Sequence, residues 1–286
     1  MDLFEMCPKV NGCVGWSNTK RRLYLSYPTW LPPNVEGIVI GPIRYNLMAG
    51  IPIGGYAQNA LVMGTLSFFA QDANGNLYGV TDGHVVYNYN TVYFPSPLLM
   101  VNRSYTKENI PLPPQPVPIG EVVWRSPVST NMDLDLAVFK LYPNVQVYPI
   151  AYGKILPLFL LTPELGETVI KVGARTSLTS GTTVDQSATI SITTDLGTQA
   201  NFTGSLFAIP SLPGDSGAPI FAGNALVGTI VGGNGSFAVA NNIVKVKQTL
   251  NQMGLKILFT SNKAILAIAP IITGLIGGAT LALGLT

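Results

Sequence analysis

Short apolar runs separated by turn residues recur along most of the chain. The clearest pair, residues 66–70 (LSFFA) and 77–81 (LYGVT), flanks an Asn-Gly turn and predicts a β-hairpin. Residues 168–172 (TVIKV) and 187–192 (SATISI) alternate between apolar and polar side chains, as strands with one buried face do. The pattern therefore predicts an all-β protein built of short antiparallel strands.

One segment has a helical period instead. In residues 241–250 (NNIVKVKQTL), an Asn that can cap a helix precedes apolar side chains at Ile243, Val246 and Leu250. Gly254 stands where the end of such a helix is expected. We predict an α-helix here, after the last strands.

Turn residues divide the chain into four parts. Residues 1–55 are rich in Pro, Gly, Asn and Tyr and are predicted to form an irregular arm. Residues 56–145 and 146–257 each carry the strand pattern of an antiparallel β-barrel, and the second part begins with a connector that ends near residue 165. Residues 258–286 form an apolar tail.

A proline-dense stretch, residues 111–118 (PLPPQPVP), interrupts the first of these barrels. Proline has no N–H to donate to a sheet, so we expect a polyproline-type connection on the surface rather than part of a central strand. A ligand for an SH3-type domain is the alternative.

The tail contains a segment long enough to cross a membrane. Residues 264–285 carry no charged side chain, and as a helix they span about 33 Å, against a hydrocarbon layer of about 30 Å. We therefore expect a transmembrane helix in contact with membrane lipid, with Gly274 and Gly278 as a small-residue pair for self-association. A tail packed on the protein's own surface or within an assembly, and an interfacial segment, are the alternatives.

Basic residues lie on one side of this segment, since Lys245, Lys247, Lys256 and Lys263 precede it and none follows. The positive-inside rule then predicts that the rest of the chain is cytosolic. Residues 1–5 (MDLFE) are acidic and no apolar run follows them, so no secretory signal is predicted. The expected topology is a single-pass C-terminal anchor, with a virion or extracellular location as the alternative.

Composition narrows the possible partners. Charged residues make up 10% of the chain and hydrophobic ones 47%, so the excess apolar surface must be buried in a core, an interface or a membrane. The net charge of +2 argues against a nucleic-acid partner, and the one basic cluster, residues 20–22 (KRR), is too short to bind phosphate groups as a surface. Cys7 and Cys13 are too few for a structural zinc site, and whether they form a disulfide is left open.

The candidate chemistry centres on Ser216, in residues 213–219 (PGDSGAP). Glycines on both sides of such a serine allow successive N–H groups to face one concavity that can hold an oxyanion. A serine hydroxyl also needs a base and a group that orients the base. The base must be His84, the only histidine of the chain, and for the orienting acid we choose Asp135, because it directly precedes an apolar run that would anchor it, over the more solvent-facing Asp133.

Five segments together resemble the chymotrypsin-like serine proteases, in that family's chain order. They are residues 81–86 (TDGHVV), 135–138 (DLAV), 171–182 (KVGARTSLTSGT), 214–217 (GDSG) and 226–233 (LVGTIVGG). The similarity is to bacterial and viral members and covers about residues 56 to 257. It implies two six-stranded antiparallel β-barrels with a closing C-terminal helix, and it implies a serine endopeptidase that acts on a protein or peptide substrate.

The resemblance also assigns roles within the site. It implies a catalytic triad of His84, Asp135 and Ser216, an oxyanion hole formed by the N–H groups of Gly214 and Ser216, and no metal or organic cofactor. One departure stands two residues before the histidine, where the family has a small apolar residue and this chain has Asp82; we expect that side chain to point to solvent.

The family's substrate pocket maps onto six residues, with Pro210 at its floor. The others are Ser211, Leu212, Val231, Gly232 and Gly233. No acid lies among the floor residues, so a lysine or arginine of the substrate would have no counter-charge there. We therefore expect a neutral, apolar P1 residue of medium to large size.

A function of a different class also fits the composition. Low charge, the arm and the apolar tail are compatible with a structural or interaction component built on a protease fold, for example a membrane-associated virion protein. An intact triad favours the enzyme.

Overall fold

The computed structural model describes residues 13–17, 22–25, 36–39, 45–57, 60–94, 116–151, 155, 157–193 and 199–259. Within these residues the protein is almost entirely β-structure, with one α-helix and one short 3-10 turn.

The strands are numbered in chain order. The first twelve are β1 (Cys13–Ser17), β2 (Arg22–Leu25), β3 (Glu36–Val39), β4 (Tyr45–Ala49), β5 (Pro52–Ala57), β6 (Ala60–Thr65), β7 (Phe68–Gln71), β8 (Leu77–Thr81), β9 (Thr91–Phe94), β10 (Val117–Arg125), β11 (Asn131–Met132) and β12 (Ala137–Leu141). They are followed by β13 (Val145–Ala151), β14 (Phe159–Leu160), β15 (Thr168–Gly173), β16 (Ser177–Thr193), β17 (Gln199–Ala208), β18 (Pro219–Ala222), β19 (Ala225–Gly233), β20 (Ala238–Asn242), helix α1 (Ile243–Gln252) and β21 (Lys256–Ile257).

Two large sheets organise the fold. In the second sheet the strands β15, β16, β17, β20, β19 and β18 pair in a closed antiparallel ring, which matches the predicted six-stranded barrel. The first sheet runs β21-β7-β8-β12-β10-β9-β5-β6, and every neighbouring pair in it is antiparallel. It has eight strands rather than the expected six, because β5 joins it from the amino-terminal segment and β21 adds to its edge from beyond the helix.

The amino-terminal segment is not irregular throughout, as the sequence suggested. Strands β1, β2 and β3 form a small sheet of their own, β4 pairs in parallel with β13, and β5 joins the first large sheet. Strand β13 likewise occupies the start of the expected connector. These runs are short and interrupted by Gly and Pro, so their backbone groups find partners on distant strands that no local pattern reveals.

The expectation for the end of the proline-dense stretch is also corrected. Pro118 lies in β10, between β9 and β12 in the sheet, and is aligned with Tyr93 of β9. The register shifts between Pro118 and Gly120, and such an irregularity lets a strand accommodate a residue that cannot donate an N–H. Residues 111–115 lie outside the described residues.

The two strongest local predictions are confirmed. Strands β7 and β8 form the expected hairpin, and Asp72 accepts hydrogen bonds from the N–H groups of Asn74 and Asn76 within its turn. Helix α1 begins after Asn242, whose side chain accepts the N–H of Val244, and Gly254 follows the helix with a φ of +73°. Both elements depend on contacts within a few residues, which explains why the sequence indicates them.

Most of the apolar core of the described residues lies in three large clusters. One cluster fills the first sheet around Ile53, Phe69 and Phe139, and one fills the second around Phe207 and Ile220. The third lies between the sheets and contains residues from both together with the apolar face of α1: Phe68, Val80, Leu136, Val138, Val172, Phe221, Leu226, Ile243, Val246 and Leu250. The two sheets therefore share a buried interface, and the candidate site lies along it.

Several predictions fall on undescribed residues. Residues 264–285 with Gly274 and Gly278, and Cys7 near the amino-terminus, lie outside the described residues. Among the residues that are described, no helix has the length and apolar character needed to span a bilayer. The anchor, its topology and the disulfide stay predictions.

Candidate active site

Neighbouring strands bring His84 and Asp135 together. His84 opens a 3-10 turn (His84–Val86) just after β8, and Asp135 stands just before β12, the strand that pairs with β8. The Asp135 carboxylate accepts the main-chain N–H of His84 at 3.0 Å with one oxygen and contacts ring atom Nδ1 with the other. A Cβ on Gly83 would lie 2.7 Å from that carboxylate, so the glycine between Asp82 and His84 permits the approach.

This contact fixes the chemistry of the imidazole. A carboxylate can only accept, so Nδ1 carries the proton and Nε2 is left as the basic nitrogen. Asp135 is only 5% exposed, which strengthens its interaction with the ring. Asp133, the rejected candidate, is exposed and pairs instead with Lys245 on α1.

The turn that carries His84 is held from a neighbouring strand. The guanidinium of Arg125, at the end of β10, donates to the carbonyl oxygens of Val86 and Tyr87 and to the Asn90 side chain. Carbonyl groups at the end of such a short turn have no partners within the turn, so these bonds stabilise it.

Ser216 lies on a tight turn between β17 and β18. Gly214 has a φ of +105° and Gly217 a φ of +87°, conformations that favour glycine. A Cβ on Gly217 would lie 2.2 Å from the Thr65 carbonyl oxygen, so space also requires a glycine. The Ser216 hydroxyl makes one long hydrogen bond, 3.4 Å, to the carbonyl of Val231, and little energy is needed to release it.

The N–H groups beside Ser216 divide into two kinds. That of Gly217 donates to Ile230 and to Asp82, whereas those of Gly214 and Ser216 have no hydrogen-bond acceptor among the described residues. Two such N–H groups next to a nucleophile are the donors that an oxyanion requires.

The buried side chain of Asp215 holds the turn that carries Ser216 in place. Its carboxylate is fully buried and pairs with Lys171 Nζ at 2.9 Å, and Lys171 is also fully buried. It also accepts hydrogen bonds from the N–H groups of Leu212, Arg175 and Thr176 and from the Thr176 hydroxyl. Burial lowers the pKa of Lys171, while its carboxylate partner opposes that shift.

Thr65, at the end of β6, connects the first sheet to the turn that carries Ser216, here called the nucleophile turn. Its N–H donates to the Ser216 carbonyl at 2.7 Å, and its hydroxyl donates to the Gly214 carbonyl at 2.9 Å. The same hydroxyl accepts the N–H of Ala174 at 3.0 Å. One buried threonine thus sets the position of Ser216 relative to the sheet that carries His84.

The expectation for Asp82 is wrong. Its side chain is fully buried, not solvent-facing, because the end of β8 lies at the interface between the sheets. It accepts the N–H of Gly217 at 2.8 Å and the side-chain N–H of Asn241 at 3.2 Å. Burial, and secondly the nearby Asp135, raise the pKa of Asp82 well above its usual range.

His84, Asp135 and Ser216 line one cleft of about 470 Å³. Of the six predicted pocket residues, Ser211, Leu212, Val231, Gly232 and Gly233 line the same cleft. Pro210 does not. It is exposed, and its carbonyl accepts the Thr179 hydroxyl, so Pro210 lies outside the cleft lining that a pocket floor would belong to.

The pocket wall is less open than expected at one of its two glycines. A Cβ on Gly232 would meet nothing within 4 Å, but one on Gly233 would lie 2.7 Å from Ser211 Cβ. Ser211 is 1% exposed, and its hydroxyl has no hydrogen-bond partner among the described residues. Besides His84 and Asp135, no charged side chain of the described residues lines the cleft.

One group in the described residues has ligand types that can bind a metal: Asp82, His84 and Asp135, with ligand atoms within 4.8 Å of one another. The His84 and Asp135 atoms face each other, and both Asp82 oxygens already accept hydrogen bonds. This arrangement suits proton transfer better than metal binding.

Three residues of the site were given no role in it from the sequence: Thr65, Lys171 and Asn241. Lys171 alone leaves a signal, because it shares the buried face of β15 with Val169, and a lysine on such a face requires a buried acid. Thr65 and Asn241 are ordinary strand residues in the sequence, and only the fold places them at the site.

Sequence comparisons return no relatives: no protein-family model and no curated protein matches this chain. Solved structures do. Thermobifida fusca protease A and a Nocardiopsis protease each match at 19% identity and a TM-score of 0.54, over 75% and 74% of this chain and 100% and 98% of theirs. Cellulomonas bogoriensis chymotrypsin matches at 20% identity and a TM-score of 0.50, over 76% of this chain and all of its own.

The protein has a chymotrypsin-like fold. Identities this low speak for the fold alone, so what the site does is argued below from its own geometry.

Proposed function

We propose that the protein is a serine endopeptidase. The observation that carries the proposal is the content of the cleft: His84 with Asp135 on its Nδ1, and Ser216 beside two N–H groups that have no acceptor among the described residues. A nucleophile, a base, an orienting acid and oxyanion donors are the groups that acyl transfer requires.

The reaction follows from these positions. Ser216 Oγ bonds to the carbonyl carbon of a peptide while its proton moves to Nε2 of His84, and Asp135 stabilises the imidazolium. The N–H groups of Gly214 and Ser216 donate to the oxyanion. The C–N bond then breaks, His84 gives its proton to the leaving amine, and the acyl group stays on Ser216. Water, with His84 as base, releases the acid and restores the serine.

The cleft favours an uncharged P1 side chain. A charged one would lie among apolar residues with no opposite charge near the pocket. The sequence predicted an apolar P1 residue, and the unpaired Ser211 hydroxyl changes that part of the prediction, since a buried hydroxyl without a partner costs about 1–3 kcal/mol and a hydrogen-bonding side chain relieves that cost. We therefore expect an amide side chain to be preferred over an aliphatic one of the same length.

A fluorophosphonate probe tests the proposal without knowledge of the substrate. The probe should label the wild-type protein at Ser216, and Ser216→Ala and His84→Ala should each abolish labelling, because triad members act as a unit. Asp133→Asn, which removes an exposed acid, is the matched control and should label normally. A folded wild-type protein that resists the probe would contradict the proposal and favour a structural or interaction role.

A P1-varied peptide library then tests the pocket. Gln should be cleaved faster than Leu or Met, and Ser211→Ala should remove that advantage, by about 10-fold or more for one lost hydrogen bond in a buried site. A preference for Arg, Lys, Asp or Glu would contradict the pocket assignment and leave the triad untouched.

A further inference from the structure

A buried polar cluster lies behind His84 and Asp135, on the side away from the cleft lining. Its members are Asp82 at the end of β8, Asn241 on β20 and Thr229 on β19, and all three are fully buried. We propose that Asn241 and Asp82 form a positioning pair that sets the acid of the triad and the nucleophile turn at a fixed distance from each other. The inference rests on the proposed protease function.

Asn241 clamps the main chain of Asp135 in both directions. Its Oδ1 accepts the N–H of Asp135 at 2.7 Å, and its Nδ2 donates to the carbonyl of the same residue at 2.7 Å. Asp135 stands outside any strand, so these two bonds replace the sheet pairing that would otherwise hold its backbone. The clamp comes from the second sheet, whereas Asp135 belongs to the first.

Asp82 completes the link in the opposite direction. It directly follows β8 of the first sheet, and it accepts the N–H of Gly217, which directly follows Ser216 and stands just before β18 of the second sheet. Its other oxygen accepts from Asn241 Nδ2. A continuous path of hydrogen bonds therefore runs from the Asp135 backbone through Asn241 and Asp82 to the nucleophile turn.

Asn241 and Asp82 differ in the strength of the hydrogen bonds that they make. Nδ2 of Asn241 has two hydrogens and three acceptors, the Asp135 carbonyl at 2.7 Å, Thr229 Oγ1 at 2.9 Å and Asp82 Oδ1 at 3.2 Å. Gly217 shares its N–H between Asp82 and the Ile230 carbonyl. Asn241 thus makes the stronger contacts, and its loss should be the more damaging.

The link depends on shape rather than on charge. Among the described residues, no Lys or Arg pairs with Asp82, and the ionisable groups nearest to it are Asp135 and His84. A second carboxylate charge beside Asp135 in a buried site is unfavourable, so Asp82 serves as an uncharged hydrogen-bonding group. An amide of the same shape should therefore replace it far better than a methyl group.

The rate of fluorophosphonate labelling at Ser216 measures this positioning in the folded protein. Asn241→Ala should slow labelling by about 100-fold, the size expected when a catalytic group shifts by about 1 Å. Asp82→Ala should slow it by less, and Asp82→Asn should restore most of the rate. Asp133→Asn removes an exposed carboxylate outside this cluster, and it is the control that should stay near wild type.

An exchange of the two side chains separates a positioning role from a general loss of stability. Asn241→Asp alone should label slowly, because it loses both donated bonds and adds a third acid beside Asp82 and Asp135. Adding Asp82→Asn restores one donor and one acceptor across the same gap, so the double variant should label faster than Asn241→Asp alone.

Circular dichroism at the labelling temperature confirms that each variant is folded. Wild-type rates in folded Asn241→Ala, or a double variant no faster than Asn241→Asp, would overturn the inference. A wild-type protein that does not label would instead overturn the proposed function, so the two failures are distinguishable.

Discussion

Two turns of the site each carry a fully buried aspartate, and they hold it in different ways. Asp215, directly before Ser216, pairs with the buried Lys171 and accepts four further hydrogen bonds. Asp82, two residues before His84, accepts two hydrogen bonds and has Asp135 as its neighbour. Burial is the same, so the two carboxyl groups differ in the partners that surround them, and only Asp82 has a second carboxyl group beside it.

The difference suits what each turn does. The nucleophile turn has to keep two N–H groups pointed at one place, and a charged carboxylate with many donors holds several backbone groups at once. The histidine turn is already in contact with Asp135, whose negative charge would stabilise an imidazolium. A second anion there would compete with it, and a neutral acid does not.

The largest expected effect comes from removing the negative charge of Asp135, the acid in contact with His84. Asp135→Asn should lower kcat/KM by about 10⁴-fold, because an amide at this position favours the wrong tautomer of His84. Asp133→Asn, two residues away, removes a carboxylate of the same kind from an exposed pair with Lys245 and should change little.

The probe-labelling rate and peptide hydrolysis both measure this pair of variants. If Asp133→Asn were the damaging change, Asp133 rather than Asp135 would be the acid that orients His84. The comparison of Asp82 with Asp215 would then fail, because it depends on Asp135 as the charged neighbour of Asp82.

Asp133 and Asp135 also show how much of the site could be predicted from the sequence. The three triad segments are short runs, so their chemistry can be recognised locally, and the exposed position of Asp133 followed from the same run. The groups that position them come from far along the chain: Asn241 lies 106 residues from Asp135, and Thr65 lies 149 from Gly214. No pattern within one strand reports such a contact.

The elements of the fold also differ in whether the local sequence predicts them. Alternation predicted strands β7, β8 and β15, and capping predicted α1, because those signals arise within a few residues. Strands β4 and β13 form by pairing with each other, so neither has a signal alone. The burial of Asp82 depends on where the two sheets meet, and a charged residue after a strand is otherwise expected to be solvated.

The next effect tests the nucleophile turn. Lys171→Met should destabilise the protein by about 3–5 kcal/mol, because it leaves Asp215 buried without its cation. Lys245→Met breaks the exposed pair with Asp133 and should cost about 1 kcal/mol or less.

Urea unfolding of both lysine variants gives the two free energies. Equal losses would mean that Asp215 does not depend on its cation, and the hydrogen bonds from Leu212, Arg175 and Thr176 would then be sufficient to hold the turn.

The smallest effect tests the histidine turn, and it depends on pH. The pKa of Asp82 is higher in the folded protein than in the unfolded chain, so the folded state binds more protons between those two values. The free energy of unfolding contributed by Asp82 is therefore fully present below about pH 4 and falls as the pH rises toward the folded-state pKa, by about 1.4 kcal/mol per pH unit in that window. Asp82→Asn has no such titration, so its stability relative to wild type should increase over the same range.

Urea unfolding of both proteins from pH 4 upward measures the difference directly, and Asp133→Asn controls for the loss of an exposed carboxyl. A difference that stays level, or that falls as the pH rises, would mean that the pKa of Asp82 is not raised by folding, and the contrast between the two turns would not hold.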